Sequence, residues 1–137
     1  MSAKAVIAGM LMAAVLTSPV AAQGGSLPDA EARPVRPPMP SYPQGAARVM
    51  LQGYCEVMFS VDTRGRTSHI HPRCSHPEFC ASATAAMEEV RFMPARRDGR
   101  IVPRHKIVYP LEFRIDGMPE LIRDLTSLKE CVDPSIS

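Results

Sequence analysis

Tryptophan is absent from this chain of 137 residues, and aromatic residues of all kinds make up only 5% of it. Large planar side chains to anchor a core are therefore few, and a domain of this size sits near the lower limit for a self-sufficient core. Covalent staples would offset that shortage. Strong charge of one sign is missing too. The net charge is +2, and Lys4 in the first residues supplies one of those charges. Phosphate binding needs a concentrated basic surface, so nucleic acid is not expected as the main partner. No internal repeat is present. No Gly-x-Ser-x-Gly elbow frames a nucleophile, and the adjacent Glu88 and Glu89 diverge on a helix instead of forming a carboxylate pair. An enzyme is not expected, nor a cofactor.

What is present begins with a compartment signal. Met1 to Lys4 is short and positive, Ala5 to Leu16 is apolar, and Val20-Ala21-Ala22 precedes Gln23. This is the pattern of a signal peptide over residues 1–22, cleaved after Ala22, and the apolar run is short for a membrane span. The alternative is an uncleaved anchor helix from Ala5 to Ala22. Residues 23–42 read as a linker, because Pro34, Pro37, Pro38, Pro40 and Pro43 forbid helix and sheet ladders and favour extended polyproline II. Fully extended, it would reach on the order of 60 Å at about 3.1 Å per residue.

Alternation then sets in. After a short helix over about Pro43 to Leu51, Cys55, Val57, Phe59 and Val61 lie on one face of a first strand and Tyr54, Glu56, Met58 and Ser60 on the other. Asp62 to Arg66 is a turn in which Gly65 takes a positive φ. A second strand follows to Cys74. With Arg64-Gly65 as the loop, the opposed pairs are Val61–Ser68, Phe59–Ile70, Val57–Pro72 and Cys55–Cys74. One register thus gathers the apolar members on a common face and opposes two cysteines, which predicts a Cys55–Cys74 disulfide. Cys80 and Cys131 then pair by exclusion, as an even cysteine count in an exported chain suggests. His69, His71 and His76 lie close in sequence to Cys74 and Cys80. However, His69 and His71 fall on the strand face opposite Cys74, and an oxidised cysteine offers no thiolate, so no metal is expected.

Ser75-His76-Pro77-Glu78 fits a capping box, and Phe79, Ala83, Ala86 and Val90 form one face of the helix it would start. Arg96 to Arg100 forms a turn around Asp98-Gly99, and its arginines read as a solvated loop. A third strand runs from Arg104 to Ile115, with Tyr109 in its apolar stripe. Pro72 and Pro110 mark the second and third strands as edges. Pro119 to Glu130 has Leu121, Ile122, Leu125 and Leu128 at helical spacing and predicts a last helix. The expected fold is α+β: a β-β-α-β domain over residues 43–116, with a three-stranded antiparallel or mixed sheet of order 2-1-3 packed by one helix. A C-terminal helical extension over 117–137 completes it.

In order and spacing, these residues resemble the TonB C-terminal domain family. The pattern reads Tyr42-Pro43, Ala46, Gly53, Val57-Met58-Phe59-Ser60-Val61, Asp62 through Gly65, Ala85-Ala86, Phe92-Met93-Pro94-Ala95, Gly99 and Leu111-Glu112-Phe113-Arg114-Ile115. The resemblance implies a periplasmic module, associated with transmembrane transport, that binds the TonB box of outer-membrane transporters by adding the partner's peptide to the third strand. It points to Lys106, Val108, Glu112 and Arg114 as partner-binding, together with Tyr42 and Pro43. Homodimerisation is compatible with it, and an inner-membrane motor complex only if the leader is uncleaved. The alternative is a stand-alone, disulfide-stabilised periplasmic structural domain without an energy-transducing role. The last helix separates the two readings, since packing over the third strand would block docking there.

Overall fold

The alternating run of the first strand lies at the centre of the molecule. The computed structural model describes residues 27–132 and the isolated residue 14. The leader, apart from residue 14, and its cleavage site therefore fall outside the described residues. In chain order the elements are β1 (Arg33–Pro34), α1 (Gln44–Arg48), β2 (Gly53–Val61), β3 (Thr67–Cys74), α2 (Cys80–Glu89), β4 (Phe92–Met93), β5 (Ala95–Arg97), β6 (Arg100–Val102), β7 (Arg104–Phe113) and β8 (Lys129–Glu130). The main sheet has the order β7-β2-β3-β8, antiparallel throughout. Its first three strands keep the expected 2-1-3 order, but β8 adds a fourth strand beside β3, so of the two proline-bearing strands only β7 remains an edge.

Cys55, Val57, Phe59 and Val61 are all buried on the inner face of β2. Against them packs α2, whose Ala83 and Ala86 are buried in line with Phe79 of the turn just before it, as the spacing requires, joined by Met87. The Phe79 ring stacks on Phe113 with centroids 4.4 Å apart, and Phe59 meets Phe92 at 5.2 Å. With so few aromatics, these pairs carry much of the core, and truncating Phe79 to alanine would cost about 3–5 kcal/mol. The turn after β2 is held by Asp62, whose Oδ1 accepts from the N–H groups of Arg64 and Arg66 at 2.8 and 2.9 Å. Gly65 there has φ +79°.

The hairpin register is met at one end and shifted at the other. Cys55 faces Cys74 and Val57 faces Pro72 as expected, but beyond Met58 one extra residue enters β3, so Ser60 faces Ser68 and Val61 faces Thr67. His69 takes the left-handed φ of 51° in this bulge. A second bulge enters β7 at the same level of β2, with Lys106 at φ 56°. Between the two bulges Phe59, Ser60 and Val61 are buried in succession, so strict alternation ends there. Both cysteine pairs form, Cys55–Cys74 and Cys80–Cys131.

Four expectations need correction. Ser75 is not a helix cap: its Oγ accepts from the Tyr54 N–H at 3.1 Å, and a 3-10 turn over Pro77–Phe79 leads into α2 with no side-chain cap. The Arg96–Arg100 loop is a full hairpin of β5 and β6, closed by Asp98 (φ 51°) and Gly99 (φ 74°), the two positive φ values of a tight hairpin turn. The described part of the linker is not free. Ala30 exchanges two backbone hydrogen bonds with Arg96, at 3.0 and 2.8 Å, and Val35 donates to Arg91 O at 2.8 Å. Glu31 pairs with Arg97 and Arg104, and Asp29 Oδ1 accepts from the Asp98 N–H at 2.8 Å. A short ladder tolerates Pro34 because its neighbour Val35 supplies the N–H.

The last helix is absent. Its place is taken by an extended strap with a single 3-10 turn at Leu125–Ser127, ending in β8 on the edge of β3. Ile122 is 85% exposed, so the helical spacing of its leucines does not describe a buried face. Asp124 instead takes the chain out of helix, its Oδ1 accepting from the Thr126 N–H and hydroxyl, and only Leu128 is fully buried. Among the described residues no helix is long and apolar enough to cross a membrane.

Candidate functional site

The open groups of the sheet follow from one distance. The Cα atoms of Cys55 and Cys74 are 4.1 Å apart, the narrow spacing of a pair that does not exchange backbone hydrogen bonds. Cys55 must therefore turn its N–H and C=O toward β7, and the alternation then assigns every neighbour. On β7, Ile107, Tyr109, Leu111 and Phe113 face β2, while Val108, Pro110 and Glu112 turn their backbone groups away from the sheet. Two independent bonds agree with this phase. Ser75 N–H donates to Tyr54 O at 2.9 Å, and Cys131 N–H donates to Pro72 O at 3.1 Å, outward from β3. Pro72 and Pro110 thus both sit where the missing N–H costs the sheet nothing.

Among the described residues, β7 has no strand partner on its outer side. This edge offers the N–H groups of Val108 and Glu112 and the carbonyls of Val108, Pro110 and Glu112. Above it, on the sheet face away from α2, Val108 is 53% exposed beside Met58, which is 40% exposed. Glu112 is not free: its carboxylate is clamped between Arg114 Nε at 2.7 Å and Arg123 of the strap. The strap itself crosses to β3 and does not lie along β7. On its way, Gln52 Nε2 donates to Pro119 O at 3.0 Å, and the Tyr54 hydroxyl meets Asp124 O and Ser127 Oγ.

The structure brings three of the six expected contact residues together. Val108, Glu112 and Arg114 follow one another along the edge. Lys106 is exposed but stands in the bulge, out of phase with them. Tyr42 and Pro43 lie on the other side of the sheet. The Tyr42 ring meets Phe79 and Phe113 edge-on at 6.0 and 5.9 Å, and its hydroxyl donates to Leu51 O. Burial raises the pKa of that phenol. Pro43 opens α1, and both residues line a shallow groove of about 290 Å³ with Met39, Ser82 and Ala85. The Arg123 clamp and the bulges were missed by the sequence reading. Only the run Glu112-x-Arg114 hinted at the clamp.

Residues 38–115 match the family model described as Gram-negative bacterial TonB protein C-terminal. Protein TonB of Pseudomonas aeruginosa (strain PAO1) is 33% identical over 96 residues, which is 64% of this chain and 28% of that relative. The chain thus spans little more than a quarter of that relative's length. The solution NMR structure of the Pseudomonas aeruginosa TonB CTD superposes with a TM-score of 0.54 at 28% identity, covering 69% of this chain and 96% of that one. Both β1 and β8 lie outside the matched residues.

Proposed function

Because this chain belongs to the TonB C-terminal family, we propose that it is a cell-envelope protein-binding module that accepts an extended peptide of an outer-membrane transporter along the free edge of β7. The observation that carries this reading is the distribution of covered and open edges. The two segments outside the family match add strands to β4 and to β3; they reach β7 only through the side-chain pairs Glu31–Arg104 and Arg123–Glu112, and neither pairs its backbone with the outer side of β7. A peptide paired there gains main-chain hydrogen bonds to Val108 and Glu112, each worth about 1 kcal/mol net. Pro110 supplies only an acceptor midway, so the register has a fixed gap between two donors. Selectivity comes from Val108 and Met58 on the outer face and from Arg114, whose charge Glu112 only partly offsets.

Energy transduction is not part of this reading. Residues 29–35 are bonded to the domain, so this stretch is not free tether while it is docked. The test is a proline scan at outward N–H positions. Val108→Pro deletes an edge donor without touching the inner stripe, and Val108→Thr keeps it. Binding of a synthetic TonB-box peptide, followed by calorimetry, is expected to disappear in Val108→Pro and persist in Val108→Thr, with both variants folded by circular dichroism. Undiminished binding by folded Val108→Pro would overturn strand addition at this edge.

A further inference from the structure

The two disulfides lie side by side. The sulfur atoms of Cys74, Cys80 and Cys131 lie within 4.8 Å of one another, although Cys74 belongs to a different bridge from the other two. The bridges differ sharply in access. Cys55 and Cys74 are 1% and 2% exposed, whereas Cys80 and Cys131 are half-buried. An open groove of about 830 Å³ between β3 and α2 leads to the outer pair, with His71, Pro72, Thr84 and Glu88 among its walls. Cys80 is the first residue of the ten-residue α2, where the helix N-terminus favours a thiolate. Cys131 is on the strap, and its bridge to Cys80 tethers β8 to the body of the domain.

We propose that the three sulfurs form a thiol–disulfide exchange site that takes a dithiol as its substrate and passes reduction from the outer bridge to the buried one. A thiolate of the dithiol attacks Cys131 Sγ, and the Cys80–Cys131 bond breaks with its electron pair leaving on Cys80. The Cys80 thiolate attacks Cys74 Sγ. A Cys74–Cys80 bond forms, the Cys55–Cys74 bond breaks, and Cys55 leaves as a thiolate that takes up a proton. The second thiolate of the reagent displaces Cys131 from the mixed disulfide. The dithiol has then lost two electrons and become a disulfide, and the protein holds one disulfide and two thiols. A further dithiol reduces Cys74–Cys80 in the same way. Cys80 is the relay because α2 holds it in place after the bridge opens, whereas Cys131 departs with the strap. Release of the strap uncovers the β3 edge at Arg73 and Cys74.

The test measures how fast the buried bridge is lost in dithiothreitol under native conditions, by acid quench, alkylation in denaturant and peptide mapping. In the wild-type chain both bridges are lost, and Cys74–Cys80 is trapped as the intermediate. In the double variant Cys80→Ser/Cys131→Ser, the Cys55–Cys74 bridge is expected to be lost at least about tenfold more slowly, because the intramolecular thiolate acts at a far higher effective concentration than the reagent. Restoring Cys80 alone, in Cys131→Ser, returns the wild-type rate. A purely structural tether predicts the reverse, since a loosened strap would expose the buried bridge. Equal or faster loss in the double variant overturns the relay. So does a wild-type intermediate that keeps Cys55–Cys74 and carries alkyl groups on Cys80 and Cys131.

Discussion

The hydroxyl of Tyr54, on the outer face of the central strand, donates a hydrogen bond to the carbonyl of Asp124, 70 residues further along the chain. The same oxygen lies 3.1 Å from Ser127 Oγ. These bonds help fasten a strap in which Leu128 is the one fully buried side chain among the described residues. Tyr54→Phe keeps the ring and removes only these bonds. The expected cost is about 1 kcal/mol of global stability. Amide exchange should rise in residues 124–130 while β2 and α2 stay protected.

Removing the buried bridge as a pair, Cys55→Ala/Cys74→Ala, should cost about 3 kcal/mol in the chain-entropy treatment, and removing Cys80–Cys131 about 4 kcal/mol because it closes a longer loop. Urea unfolding of the two double variants checks the order. A larger loss from the first pair would show that packing around Cys55 outweighs loop length.

Gly65 cannot be replaced without moving backbone. A Cβ there would lie 2.0 Å from the Phe92 carbonyl oxygen, and the residue already has φ +79°. Gly65 O also accepts from Phe92 N–H at 2.9 Å, so the turn is clamped to β4. Gly65→Ala is expected to destabilise by more than about 2 kcal/mol, from the left-handed conformation and the clash together. A denaturation midpoint near that of wild type would show that the turn can open.

Glu31 fastens β1 through Arg97 and Arg104, and the hydrogen bond from Arg97 is the main cause of its lowered pKa. Because the folded value is depressed, its contribution is complete above the ordinary carboxylate range and is lost as pH falls through the lowered value. The amide resonances of Ala30 and Arg96 should therefore hold their docked shifts at neutral pH and move together on acidification. In Glu31→Gln they should already be displaced at neutral pH, with no acid step. Unmoved resonances in that variant would mean that the Ala30–Arg96 pair and Asp29 suffice.

The parts legible in the sequence were those fixed by local periodicity plus one long-range constraint. Cys55 and Cys74 chose the lower hairpin register, and the α2 stripe was readable from Phe79 to Ala86. Pro72 and Pro110, each on a strand that flanks β2, ordered these three strands. The bulges at His69 and Lys106 left no glycine as a marker, so a straight register was continued past Met58. The strap misled because Leu121, Leu125 and Leu128 repeat at helical spacing, yet the hydrogen bonds that shape it come from Asp124 and from Tyr54 far away. The Pro-rich segment misled for a related reason: its composition forbids a long ladder, while two residues of pairing need only one willing edge. Along β7, the sequence could place the free edge but not the charge of Glu112, whose second clamp, Arg123, comes from the strap.

The stitching of residues 29–35 also has a mechanical meaning. Tension applied at Leu27 would meet the Asp29–Asp98 bond and the Ala30–Arg96 pair, then Glu31 with its two arginines and the Val35–Arg91 bond, before reaching Tyr42 and the core. These contacts are on the surface and yield one after another, each freed residue paying out roughly 3.3–3.6 Å of chain. The segment is thus slack held in reserve, and a sudden pull is spent on lengthening the tether while the edge of β7 keeps its shape.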